Sequence, residues 1–155
     1  MLAEEARIAM QQAPEDWPRI ASCLYYEDAA AAIDWLCQAF GFEVRLKVEG
    51  EGGSIEHSEL TFGEGLIMVG SSRKRDFCRS PREFGGANTQ SLCIYVDDVD
   101  AHCARARSAG AIITQEPTTQ DYGEDYGAHR TYGARDPEGH HFWFMRRERG
   151  PSATP

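Results

Sequence analysis

The sequence predicts an α+β fold built from two βαβββ modules, with paired mixed sheets that form a cleft. Three observations predict it. A strand-then-helix pattern occurs twice at an offset of 69 residues, a weak internal repeat. Three strand candidates follow each helix. One helix cannot cover both faces of a four-stranded sheet, so each sheet needs a second partner, most simply its twin. At 155 residues the chain has the length of one domain, or of two small halves sharing a core.

Residues 1–17 read as a polar lead-in, in which Ala3 to Gln12 is rich in helix formers and Pro14 and Pro18 close the segment. Residues 19–26 alternate and are bounded by turn residues, which predicts a strand. Asp28 then caps a helix whose apolar residues Ile33, Leu36, Cys37 and Phe40 recur at i, i+3, i+4 and i+7, and Gly41 stops it. Strand candidates at 43–48, 54–62 and 66–70 follow, separated by glycine turns at 50–53 and 63–65. Together these make a first half over 18–72.

The second half, 90–147, repeats the plan. Residues 91–96 read as a strand. Asp97 or Asp98 caps a helix on which Val99, Cys103 and Ala106 share one face, and Gly110 stops it. Tyr26 and Tyr95, Asp28 and Asp97, and Gly41 and Gly110 all stand 69 residues apart. Strands are expected at 112–114, 129–134 and 141–145, with Asp136-Pro137-Glu138-Gly139 as a hairpin turn. The two halves form one domain over 18–147, and 148–155 has the composition of a tail.

Bulk properties narrow the function. An apolar fraction of 41% with 10% aromatics is enough for a core and too much for disorder. No apolar run approaches the roughly 20 residues of a membrane helix. The first residues carry acids where a signal peptide needs positive charge, so a cytoplasmic protein is expected. Five cysteines, an odd number with no CxxC or CxxxC spacing, read as reduced thiols. A net charge of −9 argues against nucleic acid as partner and favours solubility and, weakly, cationic small molecules. No Walker, dinucleotide-binding or Ser-His-Asp signature occurs.

Three stretches carry a resemblance: residues 25–36 (YYEDAAAAIDWL), 59–68 (ELTFGEGLIM) and, most specific, 132–140 (YGARDPEGH). With them the chain resembles the glyoxalase/bleomycin-resistance/extradiol dioxygenase superfamily, the vicinal oxygen chelate proteins, over about residues 18–147, and within it the PhnB-like branch. The resemblance implies the two-module fold, a homodimer and a small-molecule cleft. Members with metal chemistry place a His or carboxylate on the first and fourth strands of each half. Carried over, those positions are Ala21, Met68 by strand count or Glu59 by local similarity, Ser91 (or Gln90), and Trp143. Such a set does not suit a divalent ion. A non-standard set of His57, Glu59 and His141 is the alternative. His140 and His141 point to opposite strand faces and cannot both serve.

If Ala21 marks the cleft side, Cys23 and Tyr25 line the cleft with it, as do Ser91, Cys93, Tyr95, His141, Trp143 and Met145 in the second half. Aromatic and soft sulfur groups of this kind suit a flat, partly apolar organic ligand. Residues 118–128, with Tyr122 and Tyr126 between glycines, are expected to form a mobile lid, and Arg130 to anchor a ligand carboxylate. The linker at 73–90 carries five basic residues and reads either as a solvated connection or as an anion or subunit contact. The expected ligand-binding set is therefore Tyr25, Cys93, Tyr95, Tyr126, Arg130, His141 and Trp143. Two functions remain open: a metal-independent, cofactor-free binding or sequestration protein of the bleomycin-resistance type, or a glyoxalase-like lyase, isomerase or dioxygenase with a divalent metal.

Overall fold

The computed structural model describes residues 10–152. The expected helical lead-in falls largely outside them, and residues 10–21 contain no helix. The elements run β1 (Ser22–Tyr26), α1 (Ala29–Phe40), β2 (Glu43–Glu49), β3 (Ile55–Phe62), β4 (Gly65–Ser71), β5 (Leu92–Tyr95), α2 (Val99–Ser108), β6 (Ile112–Asp121), β7 (Ala128–Arg135) and β8 (His141–Arg149). They form two mixed four-stranded sheets, ordered β1-β4-β3-β2 and β5-β8-β7-β6. β1 runs parallel to β4 and β5 parallel to β8, while the other neighbours are antiparallel. No helix among the described residues is long and apolar enough to cross a membrane.

Both helices start on an aspartate. Asp28 accepts a hydrogen bond from the Ala31 amide at 3.0 Å and Asp98 from the Ala101 amide at 2.9 Å. The second cap is thus Asp98 and not Asp97, which makes the repeat one residue longer than the tyrosine and glycine matches suggest. Counted from the caps, Tyr25 corresponds to Tyr95 and Cys23 to Cys93. Gly41 ends α1 with a φ of 86°, a left-handed conformation that suits glycine.

The inner faces of both sheets and both helices share one core. Phe40, at the end of α1, packs at 4.9 and 4.7 Å (ring centroids) on Phe142 and Phe144 of the other module's sheet. Polar bonds tie the helix pair together: the Trp35 indole donates to the Ala109 carbonyl at 2.8 Å, and Arg105 donates to the Cys37 and Gln38 carbonyls. The sequence leads to the expectation that the twin sheets cover each other's second faces, and they do not. They meet through the helices, and the outer faces stay open, with Tyr95 55% and Val48 43% exposed.

The DPEGH turn, residues 136–140, also joins the modules. Asp136 accepts from the Glu138 and His140 amides, both at 3.0 Å, and from the Tyr26 hydroxyl at 2.7 Å. The buried Glu138 carboxylate accepts from the Glu27 and Asp28 amides at 2.8 and 2.9 Å and from the Ser80 hydroxyl at 2.5 Å. His140 lies under Tyr26, with ring centroids 4.3 Å apart. Its Nδ1 is 3.3 Å from Asp136 Oδ2, near enough for ion pairing but not aligned for a hydrogen bond.

Two segments differ from expectation. β6 extends to Asp121, pairing Thr118 to Asp121 with Thr131 to Ala128, so the expected lid is a strand ending in a tight turn at 122–127. Pro117 sits in an irregularity between Gln115 and Thr118, and it concealed the strand's continuation. The basic linker is a tied connection. Arg73 and Arg79 meet Glu83 at 2.6 and 3.0 Å, Lys74 meets Glu56 at 2.5 Å, and Arg82 approaches Glu27 at 3.7 Å. The Ser80 amide and these arginines hold the Glu83 carboxyl down at about 2.

Candidate functional site

Period two along each strand sends one set of side chains into the core and the other onto the open outer face. On the second sheet, Cys93 stands opposite Trp143, Tyr95 opposite Met145, and Gly133 opposite Trp143. Gly133 is what lets the indole lie down. A Cβ there would meet the Trp143 ring at 2.9 Å and Thr114 Oγ1 at 2.7 Å. His141 packs edge-on to Trp143 at 4.8 Å between centroids and shares a 2.8 Å hydrogen bond with Thr114. The result is an aromatic platform fixed from below and from one side.

On the first sheet, Cys23 pairs with Met68 and Met68 with Glu59. Glu59 is thus on the third strand and Met68 on the fourth, as strand counting expects, and both share the outer face. Glu59 lies 3.0 Å from His57 Nε2 and accepts from Arg45 Nε at 2.8 Å. The His57 hydrogen bond, with help from Arg45, holds its carboxyl below the usual range. Arg45 in turn donates to the Asp16 carbonyl and stacks 5.0 Å from the Trp17 ring centroid, so the segment before β1 crosses this end of the sheet.

Of the expected ligand-binding residues, Tyr25, Cys93, Tyr95, His141 and Trp143 point to outer faces. Tyr25 and His141 line one concavity of about 350 Å³ with Phe77, Phe84 and Ser91. Cys93 and Tyr95 line a larger groove of about 850 Å³ with Phe62 and Leu66. Two expected residues lie elsewhere. Arg130 shares the face of the buried Tyr132 and donates to Asp100 of α2 at 2.6 and 2.7 Å. Tyr126 stands at the tip of the β6–β7 turn, 72% exposed, away from both concavities. Sequence reasoning missed Gly133, Thr114 and the linker aromatics Phe77 and Phe84. Gly133 is legible in retrospect as a glycine inside a strand.

Three titratable groups on these faces, Cys93, Tyr25 and His141, are shifted toward their neutral forms. Burial pushes the Cys93 thiol up, away from the thiolate a nucleophile needs. Burial, and hydrogen bonding to Cys78, push the Tyr25 hydroxyl up to about 12. Burial lowers His141 below its ordinary value, with Arg135 adding to it. Among the described residues no three His, Cys, Asp or Glu side chains are placed to hold one ion. The alternative trio does not assemble within the chain. His57 and Glu59 sit on the first sheet, while His141 sits on the second and is engaged by Thr114. The positions carried over from metal-using members hold Met68 and Trp143, and these donors do not fit a divalent ion.

Two βαβββ modules sharing a core, with the first and last strands of each aimed at open faces, define the vicinal oxygen chelate class. The chain belongs to the Glyoxalase/Bleomycin resistance protein/Dioxygenase superfamily, whose family model matches residues 18–144. It is similar to the uncharacterised protein Rv0887c of Mycobacterium tuberculosis, 30% identical over 129 residues that cover 81% of this chain and 72% of that one. Among solved structures it resembles TioX from Micromonospora sp. ML1, at 32% identity and a TM-score of 0.66, covering 84% of this chain and 99% of that one. It shares its fold with TnmS3, an antibiotic binding protein from Streptomyces sp. CB03234, at 17% identity and a TM-score of 0.62, covering 91% of this chain and 99% of that one.

Proposed function

We propose that this protein binds and holds a flat, partly aromatic small molecule, needs no metal to do so, and works in the cytoplasm as a homodimer. The observation that carries the reading is the Trp143 platform, an indole laid on the backbone of Gly133 and braced by His141 on an open sheet face. An aromatic face fixed in place before binding loses little entropy when a planar ligand stacks on it. Capture by stacking needs no catalytic group. The donor chemistry at the carried-over positions supports a site without a divalent ion, and the antibiotic-binding activity of TnmS3, a protein of the same fold, supports the kind of ligand. Placement in the PhnB-like branch rests on the DPEGH turn.

Fluorescence titration of the purified protein with acridine and phenanthridine tests the reading. Saturable quenching is expected, weakened about tenfold in Trp143→Ala. Binding that is unchanged in that variant, or that disappears when the protein is stripped with a chelator and returns with added metal, would refute it.

A further inference from the structure

Gly70 has neither a backbone nor a packing reason to be glycine. It lies inside β4 opposite Tyr25, and its φ is not in the left-handed region. A strand-interior glycine gives up packing and backbone entropy, and it often marks a place where something approaches the backbone closely. At Gly133 that something is Trp143. At Gly70 no described residue comes so close: the nearest atoms to a Cβ there are the Ile55 carbonyl oxygen and the Tyr25 ring, at 3.9 Å.

The space above Gly70 has defined walls. The β3–β4 ladder ends at Glu59–Met68; beyond it the Ser58 hydroxyl stands in for the backbone, donating to the Val69 carbonyl at 2.6 Å and accepting from the Val69 amide at 3.2 Å, and His57 and Gly70 line one concavity past that point. Tyr25 of β1 and His57 of β3 both line the concavity that contains Gly70, which lies on the strand between them. A ring laid over Gly70 would have Tyr25 on one side and His57 on the other, both able to make aromatic contacts. The concavity over this row is about 300 Å³.

One end of it is cationic. Tyr25 packs edge-on to Phe77 at 6.4 Å, and the Arg75 guanidinium sits 5.9 Å from the Phe77 ring centroid, at the rim. Among the described residues Arg75 is the one basic side chain of the linker with no carboxylate partner, since Arg73, Lys74, Arg79 and Arg82 all have one. An unpaired guanidinium beside an aromatic slot, on a chain of net charge −9, is a local exception to the surface around it.

We propose that the Gly70 slot binds an aromatic carboxylate, its ring held between Tyr25 and His57 and its acid group on Arg75. The slot lies on the first sheet and does not depend on the Trp143 platform of the second.

The test uses 2-naphthoate, with 2-naphthylmethanol as its uncharged control, titrated calorimetrically into the full-length protein. Naphthoate is expected to bind about tenfold more tightly than the alcohol, and Arg75→Gln to remove that preference, the scale of a charge-assisted contact. Gly70→Val is expected to remove the tighter binding of naphthoate, leaving acid and alcohol to bind alike and weakly at the Trp143 platform. Because the backbone at Gly70 is ordinary and open space lies above it, this variant should melt like the wild type. Trp143→Ala should bind naphthoate normally. Equal binding of acid and alcohol, an unaffected Arg75→Gln, normal binding by Gly70→Val, or loss of naphthoate binding in Trp143→Ala would each overturn the proposal.

Discussion

His102 is a residue at which protonation and folding are coupled. Its Nε2 faces the Phe40 carbonyl at 2.8 Å, and a carbonyl only accepts, so that nitrogen carries the proton. Nδ1 is then free to accept from the Tyr132 hydroxyl at 2.6 Å. Burial lowers His102 below its ordinary value, the Phe40 bond opposes that, and Arg105 adds to the lowering. As pH falls, the unfolded chain takes up its proton first, near 6.5. The stability due to the neutral ring is complete above that value and is lost between it and the lower folded value. The wild-type melting temperature should thus fall on acidification from about pH 7 to about pH 5. His102→Gln should start lower and show a flatter profile, though not a flat one, because His141 is lowered as well. Equal slopes would refute the coupling. Positions carried over from the resemblance, extended by strand alternation, put Tyr25, Cys93, Tyr95, His141 and Trp143 on outer faces. The same alternation applied from Tyr132 turns Arg130 inward, toward α2, where it meets Asp100.

At the scale of elements, the residues most recognisable in the sequence hold the modules together. Glu138 is only 6% exposed and receives two backbone amides and a serine hydroxyl from the other module and the linker. Glu138→Ala leaves those donors buried and unmet, which should cost about 3 kcal/mol. A lower urea midpoint with an unchanged slope would be the signature, and a change under 1 kcal/mol would contradict it. Most elements were legible because their periodicity and caps agree. β6 was legible only over 112–114, because its continuation to Asp121 is polar on both faces and carries Pro117, and neither signal reads as a strand. The lid expected at 118–128 followed from that one misread strand.

For the whole molecule, the sequence foresaw two modules but set the second face of each sheet against its twin, where the structure leaves it open. Periodicity identifies an apolar stripe and does not say what covers it, and here the helices reach across to the opposite sheet. The outer faces and the free edges of β1 and β5 remain, with exposed Leu46, Val48, Tyr95 and Ile112. A surface of this kind supports self-association. Sedimentation of the wild type at micromolar concentration is expected to give a dimer, and a monomer there would remove the homodimer from the proposed function.

The placement of Phe40 on the second sheet also bears on how such a chain could have arisen. Each half takes part of its interior from the other, so neither is a self-sufficient unit now, whatever its ancestor was. A chain opened in the exposed stretch 87–90 should yield two pieces that are each disordered alone and regain the native spectrum when mixed. The repeat would then record a merger after which each copy shed its independence, and an insertion between the halves would be tolerated more readily than the loss of either.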